Sequence, residues 1–225
     1  MSAPCPLLLF SGLAADQSVF AHQLTDIPGL VVPSWQKPHA DEDLAAYCCR
    51  WADELRPLQP RFLGGASFGG IVALEVAQRL QPDAVFLIGS VRSPAEIPRR
   101  IRHLRVFRSL LPAVPLRALQ WSARATARLP HHRALRHLLG IARLFGAADP
   151  DVVRWSARQI LEWRQTPVLK GPVYAIHGDA DPIFPLRGCH PDAIVRGGGH
   201  VISLTHPEQV TAFLLAGMAG KLPKG

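Results

Sequence analysis

The sequence predicts an α/β protein: a mostly parallel sheet of about six strands flanked by helices, with a helical segment inserted late in the chain. Three observations carry this expectation. Short, wholly apolar runs such as Pro6 to Phe10 and Ala84 to Ile88 alternate with segments of helical period, the pattern of parallel strands covered on both faces. One run, starting at Phe62, passes through Gly65-Ala66-Ser67-Phe68-Gly69 straight into the helix-like stretch Ile71 to Leu80. The alternation then stops at Pro94 and resumes at Val173.

With 225 residues, 48% of them hydrophobic, the chain suits one domain of ordinary size carrying an insertion. No stretch approaches the ~18 uninterrupted apolar residues of a membrane span. Leu7 to Phe10 is too short, and lacks the preceding basic region, for a signal peptide. A cytoplasmic protein with no membrane span is therefore expected. Cys5, Cys48, Cys49 and Cys189 show neither CxxC nor metal-like spacing, and are expected to be reduced and partly buried.

Taken in order, Pro6 to Phe10 reads as a strand that ends in the loop Ser11-Gly12-Leu13-Ala14-Ala15-Asp16. Leu30 to Val32 reads as a second strand, and Trp35 to Ala40 as a loop. Asp41 is expected to begin a helix, because Leu44, Tyr47, Cys48, Trp51 and Leu55 recur at helical spacing and acidic residues fill its first turn. The run from Phe62, its helix, and Ala84 to Ile88 form a strand–helix–strand unit, which implies parallel pairing. Val173 to His177 and Ala193 to Val195 complete the six strands, and Pro207 to Ala219 is a terminal helix.

The stretch around Ser67 is where chemistry is expected. A serine at the apex of a sharp strand–helix turn is forced into a strained backbone, and Gly65 and Gly69 remove side chains that would collide where strand and helix cross. Ser67 Oγ is pushed into the open at a helix N-terminus, where free N–H groups and the dipole favour developing negative charge. The backbone N–H of Phe68 is one expected oxyanion donor. The other is Leu13, with Gly12 allowing close approach.

Reactive groups in open parallel α/β sheets collect beyond the carboxyl ends of strands. Three such ends carry suitable residues: Ser67, then Asp179 and Asp181, then His200. The order Ser, Asp, His is that of α/β-hydrolases and not of other serine hydrolase folds. His177 and His206 read as packing, loop-bonding or helix-start residues. His131, His132 and His137 have no carboxylate near them in sequence, so no metal site is expected.

Over nearly its whole length the chain resembles the α/β-hydrolase superfamily. The resemblance rests on Gly65-Ala66-Ser67-Phe68-Gly69, on His177-Gly178-Asp179-Ala180-Asp181-Pro182-Ile183-Phe184-Pro185, and on Gly198-Gly199-His200-Val201 through His206-Pro207-Glu208. The loop Ser11 to Asp16 with Val19-Phe20, and Ile88-Gly89-Ser90 leading to Glu96-Ile97-Pro98, look like a group of small bacterial esterase-like hydrolases. Many members of the superfamily have His-Gly where this chain has Ser11-Gly12; the donor being a backbone N–H, the difference is of little weight. The resemblance implies Ser67 as nucleophile, His200 as base and Asp181, rather than Asp179, as the orienting carboxylate. Asp179 is left as a side-chain cap of its own turn. Candidate pocket residues are Gly12, Ser90, Arg92 and Trp121.

The expected domain division is 1–93 and 167–225 for the core and 94–166 for a helical cap. The cap is distinctive in charge. Between Ile97 and Ala148 there are eleven arginines and no lysine, aspartate or glutamate, leaving 14 of the chain's 25 basic residues against all 17 acidic ones elsewhere. The plain reading is a set of amphipathic helices with a wet arginine face. The sharper reading is attraction of an anionic partner: a CoA or carrier-protein thioester, an acidic substrate, or a membrane surface. No nucleic-acid motif accompanies the charge, so nucleic acid is not an expected partner. The apolar sides of these helices also allow a homodimer, and Trp121, Trp155, Trp163, Phe107 and Phe145 give the segment apolar bulk.

The leading functional expectation is a serine hydrolase acting on a small-molecule carboxylic ester or acyl thioester, with no cofactor. Two alternatives stand beside it: an acyltransferase using the same three residues, and a binding protein that keeps the fold with little turnover.

Overall fold

The computed structural model describes residues 6–106, 115–126 and 145–223. Strands β1 (Leu7–Phe10), β2 (Phe62–Ala66), β3 (Ala84–Ile88), β4 (Val173–Gly178) and β5 (Ala193–Val195) lie in that spatial order in one sheet. Every neighbouring pair is parallel. The sixth expected strand shrinks to a single bridge. Val31 pairs with Leu8 on the free side of β1, its N–H donating to Leu7 O at 3.0 Å and its carbonyl accepting from Leu9 N at 2.9 Å. Pro28 and Pro33 flank this run, and residues without a backbone N–H cannot extend the ladder.

Alternate residues of each strand serve two separate cores. Leu8, Phe10, Leu63, Val85, Leu87 and Ala175 pack against α2 (Leu44–Leu55) and α3 (Phe68–Leu80). Leu7, Leu9, Phe62, Phe86, Ile88 and Ile176 face the other way, toward Val210, Phe213 and Leu214 of the terminal helix α7 (Pro207–Met218), which packs beside α1 (Ala21–Asp26). With both faces covered, β1 to β4 lack the polar alternation of a half-exposed sheet, whereas at the sheet edge β5 leaves Ile194 exposed.

The helix expected from Asp41 begins later, at Leu44. Asp43 is its cap, accepting from Ala46 N at 2.8 Å. Asp41 has φ 58° and so lies outside the helix. Glu42 is drawn inward to Arg50, whose guanidinium bonds it at 2.8 and 3.1 Å, and to His39 N at 2.9 Å. Cys48 and Cys189 are buried, and with Cys49 they are free thiols.

Between β3 and β4 the described part of the insertion contains α4 (Arg99–His103), α5 (Leu116–Thr126) and α6 (Pro150–Glu162). Helix α6 and its C-terminal cap residue Trp163 are tied to the core by three side chains. Gln159 Oε1 accepts from Leu44 N at 3.0 Å, Trp155 Nε1 donates to Glu42 O at 2.7 Å, and Trp163 Nε1 donates to Glu75 Oε1 at 2.7 Å. Leu116 and Val153 form a small apolar cluster with Ala14 of the loop after β1. Arg99, Arg100, Arg102 and Arg117 are exposed. Arg108, Arg128, Arg133, Arg136, Arg143, Phe107, His131, His132 and His137 lie outside the described residues, as does the side chain of Arg124.

Candidate active site

The turn from β2 into α3 has the geometry that its glycines imply. Ser67 sits at φ 51°, ψ −123°, a conformation costly for a residue with a side chain. A Cβ at Gly65 would lie 2.3 Å from Gly69 C, and one at Gly69 would lie 2.1 Å from Ser11 O, so neither position admits a side chain. The two glycines let α3 cross close to β2 and to the end of β1. Gly12 differs. A Cβ there would meet Ser67 Cβ at 3.4 Å, an ordinary contact, so close approach does not require glycine at this position.

Ser67, His200 and Asp181 converge beyond the carboxyl ends of β2, β5 and β4. His200 Nε2 lies 2.9 Å from Ser67 Oγ, and His200 Nδ1 lies 2.8 Å from Asp181 Oδ2. The second carboxylate oxygen of Asp181 accepts from Ile183 N at 2.7 Å and Phe184 N at 3.1 Å. Burial pushes this carboxyl group upward most strongly, but the bond and charge of His200, with the two backbone N–H donors, outweigh it and hold the group below the ordinary aspartate value. Asp179 is exposed and points elsewhere, its Oδ1 accepting from Gly197 N at 2.7 Å. It clasps the turn after β5 instead of capping its own.

A model of the alpha/beta hydrolase family matches residues 6–213. The chain belongs to the alpha/beta hydrolase family. Solved structures of similar fold include a thermophilic esterase from Thermogutta terrifontis, with TM-score 0.74 and 18% identity over 99% of this chain and 92% of that one. An esterase from Exiguobacterium antarcticum aligns with TM-score 0.71 and 14% identity over 97% and 93% of the two chains. The enol-lactonase from Burkholderia xenovorans LB400 aligns with TM-score 0.69 and 15% identity over 95% and 91%. At such identities the likeness establishes the fold. No curated protein matches the sequence.

In this alpha/beta hydrolase the loop after β1 is closed on itself. Ser11 is buried and its hydroxyl donates to Ala15 O at 2.9 Å, while Ala15 N donates to Gly12 O at 3.1 Å. Ala14, at φ 59°, takes the strain of this tight loop. Trp35 braces it from outside: its Nε1 donates to Gly12 O at 3.3 Å and its ring stacks on Phe68 with centroids 5.6 Å apart. The segments bearing Leu13 and Phe68, the two sequence-predicted oxyanion donors, are thus braced by one indole. Phe68 opens α3, whose first N–H groups have no intrahelical acceptor.

A cavity of about 250 Å³ opens at Ser67 and His200 and includes Gly12 and Leu13 in its lining. The other three expected pocket residues are not among its described lining residues. Ser90 is buried beneath the elbow, its hydroxyl donating to Ser67 O at 2.6 Å. Arg92 is committed to Asp192 at 2.5 Å, Val173 O at 3.1 Å and His190 O. Trp121 is 72% exposed, because the buried stripe of α5 runs through Leu116 and Gln120 and Trp121 lies off it.

The sequence reading missed Trp35, placed only in a loop, and the pocket role of Val19, Val201 and Ser203. A large aromatic residue in a proline-flanked loop was the available sign for Trp35. His177 is wholly buried, and neither ring nitrogen has a hydrogen-bond partner. Burial is the main influence that pushes its pKa down to about 4, against the upward pull of Asp181. Among the described residues no group of three or more His, Cys, Asp or Glu could hold a metal ion, and no helix is long and apolar enough to cross a membrane.

Proposed function

We propose that this alpha/beta hydrolase cleaves a carboxylic ester or acyl thioester through a covalent acyl-enzyme on Ser67. The observation that carries the reading is the continuous chain from Ser67 Oγ to His200 Nε2 at 2.9 Å and from His200 Nδ1 to Asp181 Oδ2 at 2.8 Å. In the working tautomer the Ser67 hydroxyl donates to Nε2, and Nδ1–H donates to the Asp181 carboxylate.

As Ser67 Oγ attacks the acyl carbonyl carbon, its proton passes to His200 Nε2. Asp181 stabilises the imidazolium and keeps the ring oriented. The carbonyl oxygen becomes an oxyanion held by the Leu13 and Phe68 N–H groups, with the N-terminus of α3 favouring the charge. The C–O or C–S bond breaks, and His200 returns the proton to the departing oxygen or sulfur. Water then repeats the sequence: His200 takes its proton, the hydroxide attacks the acyl carbon, and Ser67 is released protonated with a carboxylic acid as product. All groups come from the protein, so the cycle uses no cofactor. The segment 94–166 acts as a cap, contributing Phe145 to the cavity wall.

The test is the intact mass of wild type and Ser67→Ala after treatment with a serine-directed fluorophosphonate, followed by peptide mapping. One adduct on Ser67, absent from the variant, together with hydrolysis of a simple activated ester, is the expected result. A folded wild type with no adduct and no hydrolysis overturns the reading in favour of a binding protein.

A further inference from the structure

The cavity at Ser67 and His200 differs sharply in chemistry from the insertion above it. Ala14, Ala15, Val19, Ala66, Phe145 and Val201 supply most of its wall. Among its described lining residues there is no lysine, arginine, aspartate or glutamate; His200 and Ser203 are the polar ones besides Ser67. The insertion, with eleven arginines between Ile97 and Ala148, sends Phe145 to this wall and none of its described arginines. Those at positions 99, 100, 102 and 117 are exposed, and Arg105 is half-buried. Among the described residues, then, the positive charge of the insertion stays off the cavity, and the described wall around the reacting centre is mostly apolar.

Size narrows the ligand. At about 250 Å³ the cavity exceeds the roughly 150 Å³ that accommodates a benzene ring, yet falls short of the roughly 300 Å³ at which drug-sized pockets begin. Allowing about 30 Å³ per heavy atom, the share of a water molecule in the liquid, it holds on the order of eight such atoms. A carboxylate or phosphate in this space would lose its hydration with no cation among the described lining residues to replace it, which disfavours charged groups.

From these features we infer that the cavity is an acyl site for uncharged chains of about four to eight carbons, with Phe145 setting the length limit. The inference rests on the hydrolase reading above. The acyl group is assigned there, and not the alcohol, because it stays bonded to Ser67 through both halves of the cycle. The alcohol must leave past His200, and water must enter by the same path. Sustained apolar contact benefits the group that stays.

The experiment measures kcat/KM of the full chain on p-nitrophenyl esters from acetate to dodecanoate, and on acetate esters of alcohols of increasing length. Expected is a rise of about three- to fourfold per added methylene up to an optimum between butanoate and octanoate, as each buried methylene contributes its transfer free energy. Beyond the optimum the value falls at least about tenfold by dodecanoate, because the cavity is full. The alcohol series stays comparatively flat. The mono-p-nitrophenyl ester of glutarate, whose chain ends in a carboxylate, reacts at least about a hundredfold more slowly than the pentanoate ester. Phe145→Ala moves the optimum to longer acyl chains, and Phe145→Trp moves it to shorter ones.

An acyl series that is flat or still rising at dodecanoate, a glutarate ester used as well as pentanoate, or length dependence confined to the alcohol overturns the inference. If the fluorophosphonate still labels Ser67 in those cases, the hydrolase reading survives alone. With neither labelling nor hydrolysis of any ester, both fall.

Discussion

The Ser90 hydroxyl donates a 2.6 Å hydrogen bond to the carbonyl oxygen of Ser67, from the end of the neighbouring strand. That carbonyl also accepts from Gly70 N at 3.0 Å, and Ser67 N donates to Ile88 O at 3.1 Å. The strained serine is thereby held at both its backbone polar groups. Ser90→Ala removes one bond inside the protein and should destabilise it by about 1–2 kcal/mol. The loss is measured as a lower urea midpoint with unchanged slope. An unaltered midpoint would show that the elbow does not need this brace.

The two aspartates of the turn after β4 are separable by experiment. Asp181→Asn keeps an oxygen able to accept from Ile183 N and Phe184 N, but places an amide where His200 Nδ1 needs a carboxylate. Hydrolysis should fall on the order of 10⁴-fold in kcat, as expected when the base is held in the wrong tautomer. Asp179→Asn touches only the exposed bond to Gly197 N and should stay within about threefold of wild type. The opposite ranking would reassign the carboxylate.

Ser11 and Trp35 hold the loop carrying Leu13 without reaching the cavity chemistry themselves. Losing an oxyanion donor outright costs about 10²–10³ in kcat. Loosening its loop through Ser11→Ala or Trp35→Phe should cost less, about tenfold, in kcat with KM little changed. If KM rises while kcat holds, these residues act on substrate binding instead.

His177 predicts a pH dependence of stability. Its folded-state pKa is lowered to about 4, whereas an imidazole in the unfolded chain titrates near ~6.5. Between those values the unfolded state binds a proton that the folded state refuses. This contribution is therefore fully present above pH ~6.5, diminishes as pH falls toward about 4 and levels off below, for a total of about 3 kcal/mol. Urea unfolding across this range should show a shallower decline in His177→Phe than in wild type. Equal slopes in both proteins would refute the assignment.

Much of this molecule is legible in its local chemistry. Apolar runs at β1 to β4 declare a sheet covered on both faces, since only such strands bury nearly every residue. Gly-Ala-Ser-Phe-Gly at 65–69 declares the elbow, because the clash at each glycine is set by residues close in the chain or by the end of the adjacent strand. The Leu30–Val32 run misled for an equally local reason: its flanking prolines limit pairing more than its apolar side chains promote it.

Other features depended on contacts that no spacing encodes. Ser90 and Arg92 follow a strand end, where pocket residues are expected, yet one is spent on the elbow and the other on Asp192. Trp121 sits on a helix whose buried stripe runs through Leu116 and Gln120, so its apolar ring faces outward against its hydropathy. The family resemblance pointed to Asp181 over Asp179, but the aim of its carboxylate at an imidazole 19 residues away in sequence exists only in the folded turn. Sequence alone determined which residues were available for chemistry and which segments would form strands and helices, because these follow from side-chain type and short-range sterics. Tertiary structure decided which of those residues meet, since direction and distance arise only when the strand ends are packed side by side.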